Sequence, residues 1–308
     1  MAESDKPVAI VTGAARGIGR SHALALAQAG YAVVVNDLGG EGNGTGADLT
    51  PAEEVVAEIK AMGGTAIVDG SDVSNWEAAG GIVRKAIDTF GRLDALVNNA
   101  GVLRDRMLAN MTEADWDIAL NVNLKGSAAM MHHAAAWWRD RSKETGAPVN
   151  AAVVNTTSGS SMYYTPGQTN YSAAKAGVTA LTIIASRELA RYGVRVNAIA
   201  PIAATRLTAG VMPAGGEERL NPAKVSPLVV YLLSPEATVT GRAFHVGADG
   251  FFVYDTPRPL AGRKAEGGDW TTADIARVMP AVLEGLPEPA TSAATLGFMN
   301  TVPVEQLG

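Results

Sequence analysis

Short apolar runs alternate with helix-length amphipathic segments from residue 8 to about residue 200, and no other feature constrains the chain as strongly. The first unit is a β-branched run, Val8–Thr12, then a glycine-rich turn, an apolar-periodic helix over 18–29 closed by Gly30, and a second apolar run, Ala32–Asn36. Two strands joined through a helix lie parallel, because a parallel pair needs a long crossover. The same pattern predicts helices over 51–62, 76–90, from about 116–123 onward and 170–192. It predicts strands at 65–69, 95–97, 152–155 and 195–199, with a last one near 243–246. The expected fold is α/β, a doubly wound parallel sheet of about seven strands.

With 47% hydrophobic residues among 308, the chain can bury a large core, which excludes a disordered tail or a collagen-like fibre. It has no cysteine, so disulfides, thiolate metal sites and thiol nucleophiles are all absent. Chemistry must come from oxygen, nitrogen or a cofactor. The net charge of −6, without a long basic run, speaks against nucleic acid. Residues 1–7 carry both signs and lack the order of a signal peptide. No apolar stretch approaches the ~20 residues of a membrane span, so a soluble, cytoplasmic protein is expected. After Gly250 the composition turns rich in Pro, Gly and Thr, with one helix expected over 272–284. We therefore read 1–250 as one domain, including a loop over 203–222. Residues 251–308 read as an extension that packs on the core or on a neighbouring subunit, since about 55 residues rarely sustain a core of their own.

Between the first strand and first helix stands Thr12-Gly13-Ala14-Ala15-Arg16-Gly17-Ile18-Gly19. Glycines 13, 17 and 19 allow a tight turn, close approach of backbone to a pyrophosphate, and a helix N-terminus facing the negative charge. Asp37, 18 residues beyond Gly19 at the end of the second strand, can accept from ribose hydroxyls and repel a 2′-phosphate. In isolation these residues also describe a tight turn and a strand-end turn. Tyr171 and Lys175 are four apart on a helix and share a face.

Thr-Gly-x-x-x-Gly-x-Gly resembles the short-chain dehydrogenase/reductase family. Asn98-Asn99-Ala100-Gly101, the Tyr171/Lys175 pair and Asn197-Ala198-Ile199-Ala200-Pro201 repeat that resemblance in order along the chain. The resemblance implies a Rossmann fold and a nicotinamide cofactor held by Gly13, Arg16, Gly17, Ile18 and Gly19, with Asp37 on the ribose. Asp72 and Val73 would hold the adenine, and Asn99, Ala100 and Gly101 would line the adenosine side. Arg16 points toward the 2′-phosphorylated cofactor and Asp37 against it; a carboxylate beside a dianion costs more than one rim arginine recovers, so NAD is favoured. The resemblance makes Tyr171 the catalytic base and gives Lys175 a second task on the nicotinamide ribose. A phenol has an ordinary pKa near ~10, and an adjacent lysine and a positive nicotinamide both favour phenolate. Ser158, thirteen residues before Tyr171, would orient the substrate oxygen, with Thr157, Ser160 and Ser161 as competing hydroxyls. Asn123 would hold a water that relays protons from the lysine, with Asn121 the alternative. The implied reaction is oxidation of a secondary alcohol. No metal is expected, and His22, His132, His133 and His245 read as structural.

Several phrases narrow the resemblance: 35–40 with a glycine-rich insertion after it, 101–106, Asp115-Trp116-Asp117 and Val211-Met212-Pro213. They are similar to the (3R)-hydroxyacyl-CoA dehydrogenase branch found in peroxisomal multifunctional enzymes of type 2, which also includes 17β-hydroxysteroid dehydrogenases. In that branch the usual Pro-Gly after the sixth strand is replaced, as with Pro201-Ile202 here, and Ile202 and Thr205 would face the nicotinamide end. The ending Gln306-Leu307-Gly308 is no peroxisomal address, so a stand-alone bacterial relative is expected. Three substrate readings follow: a 3-hydroxyacyl-CoA in fatty-acid or steroid side-chain β-oxidation, a 17β-hydroxysteroid, or a 3-oxoacyl thioester reduced with NADPH. Arg104, Arg106 and Arg206 are candidates to meet a CoA. Leu207, Val211 and Met212 either offer an apolar surface to the substrate or pack the loop down. A homo-oligomer, dimer or tetramer, is implied, through the Tyr171 helix and the helix carrying Trp137 and Trp138.

Overall fold

The structure is a computed structural model that describes residues 4–40, 46, 48–205, 218–247, 250–254, 260, 261, 264, 270–284 and 286. One sheet runs through it in the order β3-β2-β1-β4-β5-β6-β7-β8. Its strands are β1 (Val8–Thr12), β2 (Ala32–Asn36), β3 (Thr65–Asp69), β4 (Ala95–Asn98), β5 (Ala152–Thr156), β6 (Arg195–Pro201), β7 (Ala243–Gly247) and β8 (Gly250–Tyr254). The first seven are parallel, as the alternation with helices required. Helices cover both faces: α1 (Gly17–Gln28), α2 (Thr50–Ala61) and α3 (Trp76–Phe90) in the first half. Then come α4 (Glu113–Leu120), α5 (Gly126–Thr145), α6 (Ser160–Tyr163), α7 (Thr169–Glu188), α8 (Ser226–Leu233) and α9 (Thr272–Leu283).

Central strands read as unbroken apolar runs because both faces are covered. Val11, Val33 and Val35 point to the layer of α1, α2 and α8, where Leu26, Ile59 and Leu232 are buried. Their neighbours Ile10 and Val34 point the other way, to Ile82, Met130 and Trp138 of α3 and α5. Trp138 is wholly buried and donates its indole N–H to the Leu93 carbonyl at 2.7 Å. Full burial of such a side chain stabilises the fold by roughly 1.5–3 kcal/mol.

Three features differ from expectation. The sheet does not end near residue 246: β8 adds an antiparallel eighth strand outside β7, so Gly250 lies inside the sheet and not at its boundary. β8 forms because its inward residues Phe252 and Tyr254 pack on the buried His245, at ring distances of 6.0 and 6.3 Å, while Phe251 and Val253 face outward. The helix expected from about 116 onward is two helices joined by a π-turn, Asn121–Lys125. Helix α8 carries Ser-Pro-Leu-Val-Val-Tyr-Leu-Leu, apolar nearly all round, so no amphipathic period announces it. It is fixed to α1 by a 2.9 Å hydrogen bond between Ser226 Oγ and His22 Nδ1. Of the expected loop over 203–222, residues 206–217 lie outside the described residues, as do Arg206, Leu207, Val211 and Met212. All of the segment 287–308 likewise lies outside the described residues.

Candidate active site

The chain runs outward from β1 to β3 and then returns across the sheet to β4, so the carboxyl ends of β1 and β4 border a crevice. Ligands of open α/β sheets bind at such a reversal. The glycine-rich turn lies on one lip and Asn99–Gly101 on the other. Gly13 has φ +62°, and a Cβ there would lie 2.8 Å from the Ala100 Cα, so the two lips touch only through a glycine. A Cβ on Gly19 would lie 2.5 Å from Asn99 Nδ2 and 2.8 Å from the Gly13 carbonyl carbon. Thr12 and Asn99 lace the lips together. Thr12 Oγ1 accepts from the Asn99 and Ala100 amides at 3.0 and 3.1 Å, and Asn99 Nδ2 donates to the Thr12 and Gly13 carbonyls, both at 3.0 Å. Ile18 opens α1 beside this turn, and the Thr205 methyl would be 3.4 Å from a Cβ on Gly17. The expected placement of Thr205 near the cofactor is therefore geometrically open. Ile202 follows β6 and bonds the Val246 carbonyl through its amide at 2.9 Å.

Asp37 is fixed at the end of β2. One carboxylate oxygen accepts from the Ala15 amide at 2.9 Å and the other from the Gly39 amide at 2.7 Å. Gly39 has φ +79° and lies directly against the Asp48 backbone, which folds the chain after the insertion back over this corner. Arg16 precedes α1, makes no cap through its side chain, and its charge is felt by Asp48, whose carboxyl is held below the usual range first by its hydrogen bonds with Thr50. On the other rim, Asp72 accepts from the Ser74 amide at 2.8 Å and Val73 is buried against Gly126.

The four expected catalytic residues converge at the ends of β4 and β5. Lys175 is buried and donates through Nζ to the Thr156 carbonyl at 2.8 Å, with Nζ 5.6 Å from the centre of the Tyr171 ring. Ser158 bonds Ser160 Oγ at 2.8 Å and accepts from the Ser160 amide at 3.2 Å. Those contacts separate it from its neighbours. Thr157 Oγ1 is tied to the Lys175 carbonyl at 2.8 Å, and Ser161 Oγ donates to the Ser158 carbonyl at 2.7 Å. Asn123 lies in the π-turn, wholly buried, and donates to the Val102 and Ala119 carbonyls at 3.0 and 2.8 Å. Its Oδ1 has no partner. Asn121, the alternative, is exposed. A π-turn of this kind commonly marks a functional site, because the extra residue re-aims one side chain.

The electrostatics of the chain itself oppose the phenolate form. Burial pushes the Tyr171 phenol up to about 12; the Ser158 hydroxyl works the other way and Asp105 adds to the rise. Burial also pushes Lys175 down to about 7. The lysine therefore does not bring the phenol toward neutral pH in the protein by itself. Both groups leave water without a counter-ion, and each then favours its uncharged form.

Sequence reasoning passed over several residues. Asn170, wholly buried, donates to the Arg104 and Asp115 carbonyls at 3.0 and 2.8 Å and accepts from the Tyr171 amide at 2.8 Å, which fixes the start of α7. Ser160 orients Ser158. The polar Asn directly before Tyr171 and the run of hydroxyls after β5 were the available signals. Arg104 and Arg106 lie on the loop clasped to this helix start, where the Arg106 amide donates to the Gly167 carbonyl at 2.8 Å. The histidines are dispersed: His22 and His245 are buried and pushed down to about 3 and about 4, and His132 and His133 stack near Trp76. Among the described residues no three His, Asp or Glu side chains could hold a metal, and no helix is long and apolar enough to cross a membrane.

A sequence profile described as short chain dehydrogenase matches residues 7–214. The chain belongs to the short-chain dehydrogenase family. This dehydrogenase is 39% identical to the hydroxyacyl-CoA dehydrogenase ChsB1 of Mycobacterium tuberculosis, over 94% of its own length and 92% of that protein's. It is 41% identical to the mouse peroxisomal multifunctional enzyme type 2 over 79% of its length, which is 32% of the mouse protein. A crystal structure of a short chain dehydrogenase from Mycobacterium avium superposes with a TM-score of 0.83 at 43% identity, covering 94% of this chain and 99% of that one. The first and third matches reach into the segment after residue 250, beyond the part shared with the mouse enzyme.

Proposed function

We propose that this short-chain dehydrogenase oxidises a (3R)-3-hydroxyacyl-CoA to the 3-oxoacyl-CoA with NAD. The observation that carries the reading is the desolvated Tyr171/Lys175 pair beside Ser158, at the same strand ends as the glycine cradle. The acyl-CoA part rests on the names of the relatives. The cradle fits a dinucleotide: Gly13 and Gly19 leave no room for a Cβ, and the α1 N-terminus carries no acidic side chain in its first turn to compete with a pyrophosphate. Gly13, Arg16, Gly17, Ile18 and Gly19 would hold the pyrophosphate, Asp72, Val73, Asn99 and Ala100 the adenosine side, and Ile202 and Thr205 the far end.

NAD is favoured because Asp37 cannot turn away. Two backbone amides hold it, and Asp48 stands near Arg16. A carboxylate about 4 Å from a phosphate costs about 4 kcal/mol per unit of charge at an effective dielectric of about 20. One rim arginine offsets only part of that.

When bound, the oxidised nicotinamide supplies a hydride acceptor and a positive charge. The chain's residues manage the proton. Ser158 accepts from the Ser160 amide, and its hydroxyl, which bonds Ser160 Oγ and faces Tyr171, can turn to donate to the substrate oxygen. Tyr171 takes the alcohol proton, and its high resting pKa means it becomes a base only once positive charge lies beside it. Lys175, held near neutrality, can carry that proton onward. The reading includes a homo-oligomer, since the outer face of α7 presents Ile184, half exposed, beside an apolar cavity lined by Ala180, Ile183 and Tyr254.

The test is turnover of purified protein with NAD and with NADP against a (3R)-3-hydroxyacyl-CoA and a 17β-hydroxysteroid. Faster turnover of the thioester with NAD is expected. Turnover of the steroid alone would replace the substrate, a preference for NADP would replace the cofactor, and no turnover of either alcohol would overturn the reading.

A further inference from the structure

Tyr163 ends the single turn of α6 that follows Ser158 and Gly159. Side chains of a helical turn lean back toward its start, and the Tyr163 amide bonds the Gly159 carbonyl at 3.0 Å. The phenol accordingly lies on Gly159: a Cβ there would overlap Tyr163 Oη and Cζ and come within 2.7 Å of Cε1. Gly159 has ordinary helical angles, φ −55° and ψ −33°, so the glycine serves this close approach and no backbone turn. The residues around Tyr163 go elsewhere. Ser161, Met162 and Tyr164 line the apolar cavity against α7. Tyr163 is half-buried, and its hydroxyl makes no hydrogen bond among the described residues. Its electrostatic neighbour Tyr254 is occupied by His245 Nδ1 at 3.3 Å. Burial pushes the Tyr163 phenol up, so at neutral pH it keeps its proton and is a donor.

An unbonded donor thus rests on the residue next to Ser158, whose own hydroxyl faces Tyr171. In a 3-hydroxyacyl thioester, one methylene separates the carbinol carbon from the carbonyl carbon, so a site that grips the hydroxyl brings the carbonyl oxygen to the next donor along. A 17β-hydroxysteroid carries no carbonyl at that spacing. We propose that Tyr163 is a specificity-determining residue: its phenol donates to the thioester carbonyl while Ser158 and Tyr171 hold the 3-hydroxyl, and the site thereby selects alcohols with a carbonyl one methylene away. This rests on the dehydrogenase reading above and gives its thioester part a residue of this chain. Two points of attachment fix the orientation of the carbinol hydrogen, which a single grip on the hydroxyl leaves free to rotate. An alcohol without the carbonyl leaves the phenol half-buried and unpaired, and a site built around a hydrogen bond rejects an analogue that cannot make it.

The experiment is a cycle between the residue and the substrate carbonyl. Wild type and Tyr163→Phe are assayed with NAD on (3R)-3-hydroxybutanoyl-CoA and on S-[(3R)-3-hydroxybutyl]-CoA, the thioether in which a methylene replaces the carbonyl. Melting temperature and NAD affinity by fluorescence titration establish that the variant is folded and binds. Wild type is expected to prefer the thioester in kcat/KM by about tenfold or more. Tyr163→Phe should cut that preference by about tenfold (about 1.4 kcal/mol), through a loss that falls on the thioester. An equal loss on both substrates overturns the proposal, as does a preference the variant leaves intact or a wild type that has none. Should Tyr163→Phe not fold, Gly159→Ala pushes the phenol off the strand end and is read the same way: a reduced preference supports the proposal, and a retained one overturns it. Wild-type inactivity on both substrates is a different result, and sinks the dehydrogenase reading itself.

Discussion

Gly19→Ala isolates the close contact that builds the dinucleotide cradle. Gly19 lies in α1 with ordinary helical geometry, so alanine should gain about 1 kcal/mol from helix propensity alone. Against this, the new Cβ would overlap the Gly13 carbonyl oxygen and lie 2.5 Å from Asn99 Nδ2, so both must retreat by about 1 Å or more to reach ordinary contact. That retreat stretches the two 3.0 Å bonds from Asn99 Nδ2 to the Thr12 and Gly13 carbonyls past hydrogen-bonding range, about 1 kcal/mol each. Overpacking adds roughly 1–3 kcal/mol. The net loss is about 2–4 kcal/mol, a fall in Tm of about 5 °C or more in thermal denaturation followed by circular dichroism. NAD affinity by titration calorimetry should fall at least tenfold, because the amides that face the pyrophosphate move with the turn. Gly81→Ala is the control: it lies in α3, and its nearest outside atom is Arg84 Nη2 at 3.8 Å, so it should stabilise by up to about 1 kcal/mol. If both variants shift Tm in the same direction and Gly19→Ala binds NAD normally, the contact argument is wrong.

Other perturbations follow from the same geometry. Lys175 is pushed down to about 7, so between pH 7 and its ordinary value near 10.5 the unfolded chain binds more protons and stability rises with pH. Lys175→Met should therefore be more stable than wild type at pH 7, with the gap narrowing by pH 10 in urea titrations; a gap independent of pH would show the lysine is not depressed. Asp37→Asn removes the charge and leaves one of the Ala15 and Gly39 amides without an acceptor. Stability should drop by about 1–3 kcal/mol while the NADP-to-NAD ratio of kcat/KM rises at least tenfold, and an unchanged ratio would clear Asp37 of cofactor choice. Tyr171→Phe should keep NAD affinity and lose turnover by at least a hundredfold, so retained activity would mean another base. Asn170→Ala strips partners from the Arg104 and Asp115 carbonyls and the Tyr171 amide, and should cut kcat far more than NAD binding; equal losses in both would reduce it to a general structural role.

The sequence by itself determined the parallel sheet, since strands separated by helix-length segments can pair only through crossovers, and it singled out the glycine turn, Asp37, Tyr171 and Lys175 as candidates. Each is a local signal: a period, a spacing, or a residue type at a strand end. Helix α8 escaped because its sequence is apolar nearly all round, so no amphipathic stripe marks it. Strand β8 escaped because its pairing depends on His245 and on the free edge of β7, neither of which is written in residues 250–254. The family spacing singled out Ser158 among four hydroxyls, and only the tertiary structure shows what occupies the others: Thr157 and Ser161 are tied to backbone and Ser160 is turned onto Ser158. It also buried both Tyr171 and Lys175, which raises the phenol and lowers the ammonium, so the charge expected to favour phenolate is not supplied by the lysine alone. It laid the Tyr163 phenol on Gly159, next to Ser158. Desolvation and close approach are sums over residues far apart in the chain, and only the folded chain brings those residues together.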